Sequence, residues 1–219
     1  MDSTLETKSS RPTEVKEVDS IVIRFSGDSG DGMQLTGMQF TDTAALLGKD
    51  LSTFPEYPAE IRAPAGTLAG VSGFQLHFGS KEIFTPGDQY DVLVAMNSAA
   101  LKNDLKRLKR GGVVIANTAG FDSKNLKLAG YPEGAQNPLE DGTLDEYTVY
   151  KIDVTKHTKD ALKDSPLGMK EIERCKNMFV LGVLFWMFDK SMEFTIKSLE
   201  EKFGKKPDIL DSNLKALKA

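Results

Sequence analysis

Short apolar runs alternate with helical patterns along the first half of the chain. The runs lie at positions 21–25, 90–96 and 113–118, and their β-branched side chains are typical of buried strands. Apolar residues recur at helical spacing in the intervening stretches 33–47 and 98–110. This alternation predicts an α/β fold, with a three-layer Rossmann-like sheet that is mostly parallel or mixed and has helices on both faces.

The rest of the chain predicts further strands and a helical C-terminal third. Strands are expected at 51–54, 71–78 and 147–154, and helices at 155–162, 168–188, 192–203 and from Asp208 onward. Gly, Pro, Asp and Asn dominate the intervening stretch 119–146, which predicts a long surface excursion. The apolar stripe of the 168–188 helix is expected to pack on the sheet, with Trp186 in the core.

Three glycines, Gly27, Gly30 and Gly32, separate the first strand from the first helix. Such a turn exposes backbone N–H groups at a helix N-terminus, where anionic ligand groups are held favourably. The G-x-x-G-x-G spacing matches neither the dinucleotide pattern nor a P-loop, and Asp28 and Asp31 would repel a phosphate placed on them. A turn that serves only the packing of strand against helix is an equal alternative.

A stiff loop follows the second predicted strand. Positions 55–66 contain three prolines, two glutamates and Arg62. Loops of this composition are usually functional or form an interface. Arg62 is a candidate for binding a phosphate, and an ion pair with Glu56 or Glu60 is at least as good an interpretation.

Asn97 follows the buried run at 90–96. An open parallel sheet places ligand-facing residues at the carboxyl ends of its strands, so Asn97 is a candidate. The alternative is a helix cap or turn. The lysines and arginines of the following stretch, 98–110, are interpreted as a solvated helix face.

Composition excludes several classes of function. The formal net charge is −4 over 219 residues, so no basic field indicates nucleic acid or an anionic membrane as a partner. The single cysteine, Cys175, cannot by itself hold an iron–sulfur cluster or a structural zinc, and a buried, idle thiol is the favoured interpretation. We therefore predict no metal ligand in this chain.

Two stretches bear on the compartment. Positions 1–19 are polar and charged without an apolar centre, which predicts a disordered tail and not a secretory signal. The most apolar stretch, 178–188, is far shorter than the roughly 20 residues that cross a bilayer. We expect a cytoplasmic protein without a membrane partner.

Four segments together resemble a known family. They are Ser26-Gly-Asp-Ser-Gly-Asp-Gly-Met, Phe54-Pro-Glu-Tyr-Pro-Ala-Glu-Ile-Arg-Ala-Pro-Ala-Gly, Val71-Ser-Gly-Phe-Gln-Leu-His-Phe-Gly and Asn177-Met-Phe-Val-Leu-Gly. The combination resembles the gamma domain of the 2-oxoacid:ferredoxin oxidoreductases, and within that family the N-terminal domain of the alpha subunit of the 2-oxoglutarate type. The resemblance runs from Ser20 to Ala219.

The resemblance implies a part of a larger enzyme. Such enzymes convert a 2-oxoacid and coenzyme A to an acyl-CoA, CO2 and reduced ferredoxin, using thiamine pyrophosphate and [4Fe-4S] clusters that lie outside this domain. Implied partners are the rest of the alpha subunit with its thiamine pyrimidine domain, the beta subunit and ferredoxin. By this resemblance residues 20–204 form the gamma domain, and 205–219 form a linker helix towards the pyrimidine domain, with the chain cut at Ala219. The resemblance also implies that the catalytic residues lie in other domains or in the beta subunit, so no catalytic residue is expected in this chain and the isolated chain is expected to be inactive.

The gamma domain of related pyruvate enzymes helps to bind coenzyme A, which implies a site in this chain. Carried over by position, the cofactor-binding residues are Gly27, Ser29, Gly30, Asp31, Gly32 and Arg62, and Asn97 is added to them from its place after a buried strand. In this assignment the Asp31 carboxylate accepts ribose hydroxyls and Arg62 meets a phosphate. The chain departs from the usual run of glycines at Asp28-Ser29.

Two other hypotheses belong to different classes. In the first, the chain is a pure protein–protein docking module, with the exposed aromatic residues Phe54 and Tyr57 in its interface. In the second, it is an independent nucleotide-binding oxidoreductase of the Rossmann type. The glycine spacing argues against that hypothesis, and no acidic residue ends an obvious second strand about 20 residues further on.

Overall fold

A computed structural model describes residues 17–60 and 62–219 of the chain. The expected disordered tail at 1–19 therefore lies almost entirely outside the described residues. Within the described part, the secondary structure divides the chain into a sheet-forming first two thirds and a helical last third.

The described strands form one six-stranded sheet. They are β1 (Ser20–Asp28), β2 (Asp50–Glu56), β3 (Val71–Gly79), β4 (Tyr90–Ala95), β5 (Leu108–Asn117) and β6 (Thr148–Ile152). Their order across the sheet is β2-β3-β1-β4-β5-β6. β3 pairs antiparallel with β1 and β2, whereas the β1–β4, β4–β5 and β5–β6 pairs are parallel. The sheet is mixed, which confirms the expected fold class.

Helices cover the sheet and make up the C-terminal third. They are α1 (Met33–Leu46), α2 (Ser98–Asp104), α3 (Ser123–Leu128), α4 (Val154–Ala161), α5 (Met169–Arg174), α6 (Lys176–Met187), α7 (Glu193–Phe203) and α8 (Pro207–Lys218). None of the helices in the described ranges combines the length and apolar character that crossing a bilayer requires.

Each face of the sheet carries its own core. On one face, side chains such as Phe25 and Leu76 pack against α1 and α6 through Phe40 and Phe185. On the other face, the core includes Leu101 of α2 and side chains of β1, β4 and β5. This arrangement confirms helices on both faces and places α1 and α2 on opposite sides of the sheet.

The second helix is shorter than its sequence pattern predicts. α2 ends at Asp104 and a 3₁₀ turn spans Leu105–Arg107, so the predicted helix end at 108–110 belongs to β5. Leu108 is buried as the first residue of that strand and pairs with Tyr90 on β4. Pairing with a neighbouring strand therefore overrides the helical spacing of the leucines.

Two other expectations on packing are wrong. The 119–146 stretch is not simply a surface excursion, because it contains α3 with the buried Leu126, and it adds Leu139 and Leu144 to the core on the α2 side of the sheet. Trp186 does not lie in the core, since 73% of it is exposed. α6 is apolar on nearly every side, so its sequence does not reveal which side faces solvent.

A cluster of charged and polar groups is buried between β1 and α2. Arg24 on β1 and Asp104 on α2 are 1% and 2% exposed, and Arg24 Nε lies 3.3 Å from Asp104 Oδ1. Arg24 also pairs with Glu56 at the end of β2. Ser26 Oγ donates to Asp104 Oδ2 at 2.5 Å and the Tyr90 hydroxyl donates to Oδ1 at 3.3 Å. Asp104 is therefore the buried counter-ion that holds Arg24 on this side of the sheet.

The last helix packs on the rest of the domain. Ala216 and Leu217 of α8 are buried, and Leu217 lies against α6 at Gly182. A Cβ added to Gly182 would lie 2.2 Å from the carbonyl oxygen of Leu217, so only glycine permits this approach. The domain boundary between 204 and 205 stays a prediction.

The thiol of Cys175 is buried at the junction of α5 and α6, as expected for an idle cysteine. Burial, with a smaller contribution from the Glu171 carboxylate, raises the pKa of this thiol from 9.0 to about 11. At pH 8 about one thiol in a thousand is then ionised. We expect Ellman's reagent to leave the native protein essentially unlabelled over an hour, and to label one thiol per chain after unfolding in guanidinium. Complete labelling of the native protein within minutes would contradict this expectation.

The raised pKa also has a consequence for stability. A thiol with a higher pKa in the folded state stabilises the fold fully below about pH 9, and this contribution is lost as the pH rises towards about 11. Urea unfolding of wild type and Cys175→Ala between those pH values should therefore show a steeper loss of stability for the wild type.

Candidate functional site

The carboxyl ends of β1 and β4 form a topological switch point. The two strands are parallel neighbours, and the helices that follow them, α1 and α2, leave to opposite faces of the sheet. A crevice opens where neighbouring parallel strands connect in opposite directions, and ligands of open α/β sheets bind there. The glycine turn and Asn97 lie at this crevice, one after each strand.

The glycine turn is a tight structure that leads directly into α1. The Asp31 backbone N–H donates to the Asp28 carbonyl oxygen at 2.9 Å, and the Asp28 N–H donates to Asp31 Oδ2 at 2.9 Å. Gly32 has φ 72° and no side chain caps the N-terminus of α1. Because the first backbone N–H groups of a helix lack partners within it, the start of α1 favours an anion.

The three glycines do not play equal parts. A Cβ on Gly27 would lie 2.9 Å from both Asp31 Oδ2 and Met96 Cβ, and one on Gly32 would lie 2.8 Å from Asn177 Nδ2. These two glycines serve close packing, as the structural alternative predicted. Gly30 has no atom within 4 Å of its added Cβ. Gly30 and Ser29 are exposed, so the tip of the turn is the part that a ligand can approach.

Asp28 connects the turn to the proline-rich loop, a contact that sequence reasoning missed. Its carboxylate accepts the Gly66 backbone N–H, with distances of 3.0 Å to Oδ1 and 2.9 Å to Oδ2. Partial burial raises the pKa of the Asp28 carboxyl above its ordinary value, and the Gly66 hydrogen bond partly opposes that shift. No signal in the sequence links two positions that lie 38 residues apart.

Asp31 pairs with a lysine from the C-terminal third of the chain. Lys176 Nζ lies 3.3 Å from Asp31 Oδ1, and both side chains are largely buried. Asp31 is therefore engaged on both carboxylate oxygens, and its proposed role towards ribose hydroxyls stays a prediction. Lys176 was not among the predicted site residues, because it begins α6, more than 140 residues away along the chain.

Arg62 is exposed in the proline-rich loop. Within the described ranges its side chain makes no ion pair with Glu56 or Glu60, and Glu56 pairs instead with Arg24. The predicted alternative of an Arg62–Glu56 ion pair is therefore wrong. Binding of a phosphate by Arg62 stays a prediction.

Asn97 is the N-cap of α2. Its Oδ1 accepts the Ala100 backbone N–H at 2.8 Å, and the residue is 5% exposed. This geometry is the helix cap named as the alternative. Burial raises the pKa of the neighbouring Asp28 carboxyl overall, and the Asn97 amide opposes that shift. The assignment of Asn97 as a ligand-facing residue stays a prediction. In the structure its side chain is buried and contacts the Ala100 backbone.

Buried polar groups continue along the same edge of the sheet. Ser98 Oγ and Asn117 Oδ1 are both buried without a hydrogen-bond partner in the described structure, and Asn117 Nδ2 donates to the Met96 carbonyl oxygen at 3.1 Å. Ser98 follows the apolar run of β4 and Asn117 is the last residue of β5. Their positions at the carboxyl ends of parallel strands are the signal by which they could have been found.

Metal chemistry finds no support in the described residues. They include no cluster of three or more His, Cys, Asp or Glu side chains placed to hold a metal ion. With one cysteine in the full sequence, an iron–sulfur cluster held by cysteines of this chain is excluded. The chemistry that the arrangement supports is the binding of an anionic ligand at the tip of the turn.

Comparison with known sequences gives matches over most of the chain. A family model described as pyruvate ferredoxin/flavodoxin oxidoreductase matches residues 22–219. The chain is 50% identical over 204 residues to the 2-oxoglutarate oxidoreductase subunit KorA of Mycobacterium tuberculosis, covering 93% of this chain and 31% of that subunit. It is 30% identical over 125 residues to the ketoisovalerate oxidoreductase subunit VorA of Methanothermobacter marburgensis, covering 55% of this chain and 25% of that subunit.

Solved structures share the fold. A 2-oxoglutarate:ferredoxin oxidoreductase from Magnetococcus marinus, solved with 2-oxoglutarate, coenzyme A and succinyl-CoA bound, matches with a TM-score of 0.70 at 27% identity. That match covers 92% of this chain and 30% of the other. The pyruvate oxidoreductase subunit PORC from Thermotoga maritima matches with a TM-score of 0.57 at 19% identity, covering 91% of this chain and 94% of that one. The second likeness shows the fold alone.

Proposed function

Because the chain belongs to the pyruvate ferredoxin/flavodoxin oxidoreductase family, we propose that it is the gamma domain of the alpha subunit of a 2-oxoglutarate:ferredoxin oxidoreductase. The family expected from the sequence motifs is confirmed. The chain corresponds to 31% of the length of the KorA subunit, so it supplies one part of such an enzyme. Its own part is to contribute to coenzyme A binding and to subunit assembly.

The uncapped start of α1, reached through the exposed tip of the glycine turn, is the observation that carries the coenzyme A assignment. Backbone N–H groups there are suited to a phosphate of the nucleotide part. Arg62, on the neighbouring loop, is exposed and able to pair with a second phosphate. Coenzyme A is bound in the related Magnetococcus marinus enzyme, which supports the choice of ligand.

The proposed division of labour leaves the chemistry to other domains. Thiamine pyrophosphate supports decarboxylation and iron–sulfur clusters carry electrons to ferredoxin in the proposed parent enzyme. The donor set of this chain, with one buried cysteine and no cluster of metal ligands in its described residues, does not fit an iron–sulfur cluster. The rest of the alpha subunit and a beta subunit are the proposed partners, ferredoxin is the proposed acceptor, and the cytoplasm is the proposed compartment.

Substitution of Arg62 tests the coenzyme A role. In the assembled enzyme, Arg62→Ala is expected to raise the KM for coenzyme A by about tenfold and to leave kcat within about twofold, because the lost contact binds ground state and transition state alike. Steady-state kinetics with coenzyme A as the varied substrate measure both constants.

The matched control for this experiment is Arg110→Ala. Arg110 is an exposed arginine near the start of β5, and its side chain pairs with Glu146. The Arg110→Ala substitution should leave the KM for coenzyme A unchanged. An unchanged KM in Arg62→Ala would remove Arg62 from the coenzyme A site.

A docking module without a ligand is the second proposed function. The observation in its favour is the exposure of two aromatic residues at the edge of the described sheet. Phe54 lies in the edge strand β2 and is 50% exposed, and Tyr57 directly follows that strand and is 71% exposed. Under this alternative, a Phe54→Ser, Tyr57→Ser double variant loses the partner subunits in size-exclusion chromatography, while calorimetry detects no coenzyme A binding to the wild-type chain.

A further inference from the structure

We propose that Asp28 is a positioning residue that fixes the Arg62-bearing loop against the glycine turn, and so sets the affinity for coenzyme A without touching the ligand. This inference rests on the coenzyme A site proposed above. It gives a role to an acidic residue that the sequence suggested would repel a phosphate.

The geometry of the Asp28 carboxylate points it at the loop. Both of its oxygens lie within 3.0 Å of the Gly66 nitrogen, so one carboxylate receives one backbone N–H in a charge-assisted hydrogen bond. Gly66 is buried and has φ 82°, a conformation that favours glycine. The backbone at Gly66 is therefore shaped to present its N–H to Asp28.

The loop has few other ties to the turn. Its other described backbone hydrogen bonds stay within residues 60–70. They run from Glu60 N–H to the Ala69 carbonyl, from Ala63 N–H to the Glu60 carbonyl, from Thr67 N–H to the Pro64 carbonyl and from Gly70 N–H to the Thr67 carbonyl. In the described part of the loop, the Asp28–Gly66 bond is the hydrogen bond that joins it to the glycine turn. Arg62 lies four residues before Gly66, so the position of that bond limits where its guanidinium can reach.

Groups from several elements surround the Asp28 carboxylate. Burial and the Asp31 charge raise the pKa of this carboxyl, whereas the Gly66 hydrogen bond, the Asn97 amide and the Lys176 charge lower it. Asn97 and Lys176 are themselves fixed, one as the cap of α2 and the other by pairing with Asp31. The Asp28 side chain at the end of β1 thus carries the contact to the proline-rich loop, near residues that are fixed at the starts of α2 and α6.

Removing the carboxylate should release the loop. In the assembled enzyme, Asp28→Ala is expected to raise amide hydrogen exchange in residues 62–70 by about tenfold. It should also raise the KM for coenzyme A by about tenfold with kcat within about twofold. Asp28→Asn keeps an acceptor oxygen without the charge, so both effects should be smaller, at about threefold. A residue needed only for folding would not give this graded recovery together with a KM-specific effect.

Asp42→Ala is the matched control, since Asp42 is an exposed aspartate in the middle of α1, away from the loop. It should change neither exchange in 62–70 nor the KM. Unchanged exchange in both Asp28 variants overturns the proposal. If Asp28→Ala raises the exchange but not the KM, while Arg62→Ala does raise the KM, the role of Asp28 is refuted and the coenzyme A site is retained. If neither Asp28→Ala nor Arg62→Ala alters the KM, both the coenzyme A site and the role of Asp28 are refuted.

Discussion

Replacing Asp104 with alanine is expected to destabilise the domain by about 3 kcal/mol, because Arg24 then keeps a buried charge without its buried counter-ion. Arg24 is 1% exposed and its remaining carboxylate partner, Glu56, lies at the surface with 40% of its side chain exposed. The substitution also leaves the hydroxyls of Ser26 and Tyr90 without their acceptor. Unsatisfied buried donors add to the cost of the unpaired guanidinium.

Urea unfolding followed by circular dichroism measures this effect. The matched control is Glu146→Ala, which removes a carboxylate from an exposed pair with Arg110 and should change the stability by less than about 0.5 kcal/mol. A double variant, Arg24→Met with Asp104→Leu, should recover most of the loss because neither buried charge remains. A loss below about 1 kcal/mol in Asp104→Ala would mean that water reaches the Arg24 guanidinium.

Gly182→Ala is expected to lower stability by about 2 kcal/mol and to loosen α8. The added methyl group would lie 2.2 Å from the Leu217 carbonyl oxygen and 3.1 Å from its carbonyl carbon, so α6 and α8 must move apart. Leu217 and Ala216 are both buried at that contact. Backbone atoms cannot rotate out of the way as a side chain can, so the whole C-terminal helix has to shift.

Hydrogen exchange of residues 209–218, together with the melting temperature, tests this prediction. Exchange there should rise more than in β1 or β4, since the disturbance is local to the α6–α8 contact. Gly30→Ala is the control for stability, because no atom lies within 4 Å of the added methyl group. Equal melting temperatures for the two variants would show that α8 moves away at negligible cost.

The order of strands and helices in the first half of the chain follows from local patterns. β4 and residues 113–116 of β5 are continuous apolar runs that the sheet buries. β1 is apolar apart from Arg24 and its polar ends, and the glycines after it mark the turn into α1. The sequence also predicted the position of Asn97 after β4 and named a helix cap as one of its two possible roles. The hydrogen bond from the Ala100 N–H to Asn97 Oδ1 identifies that cap. These features involve residues within a few positions of one another.

Local sequence patterns do not predict contacts between residues that are far apart along the chain. The antiparallel insertion of β3 between β1 and β2, the burial of Leu108 as a strand residue and the exposure of Trp186 depend on which surfaces meet. A helix as apolar as α6 can bury any of its sides. Only the packed neighbours decide which side remains exposed.

The candidate site divides in the same way. The residues of the turn, Gly27 to Gly32, were identified from the sequence because glycine spacing and a following helix are local signals. Its connections to Gly66 and Lys176 were decided by tertiary structure, because a hydrogen bond or an ion pair forms wherever folding brings two groups within about 3 Å, whatever their separation along the chain. By itself the sequence determined the family, the fold class and the location of the turn, and tertiary structure decided which side chains hold that turn in place.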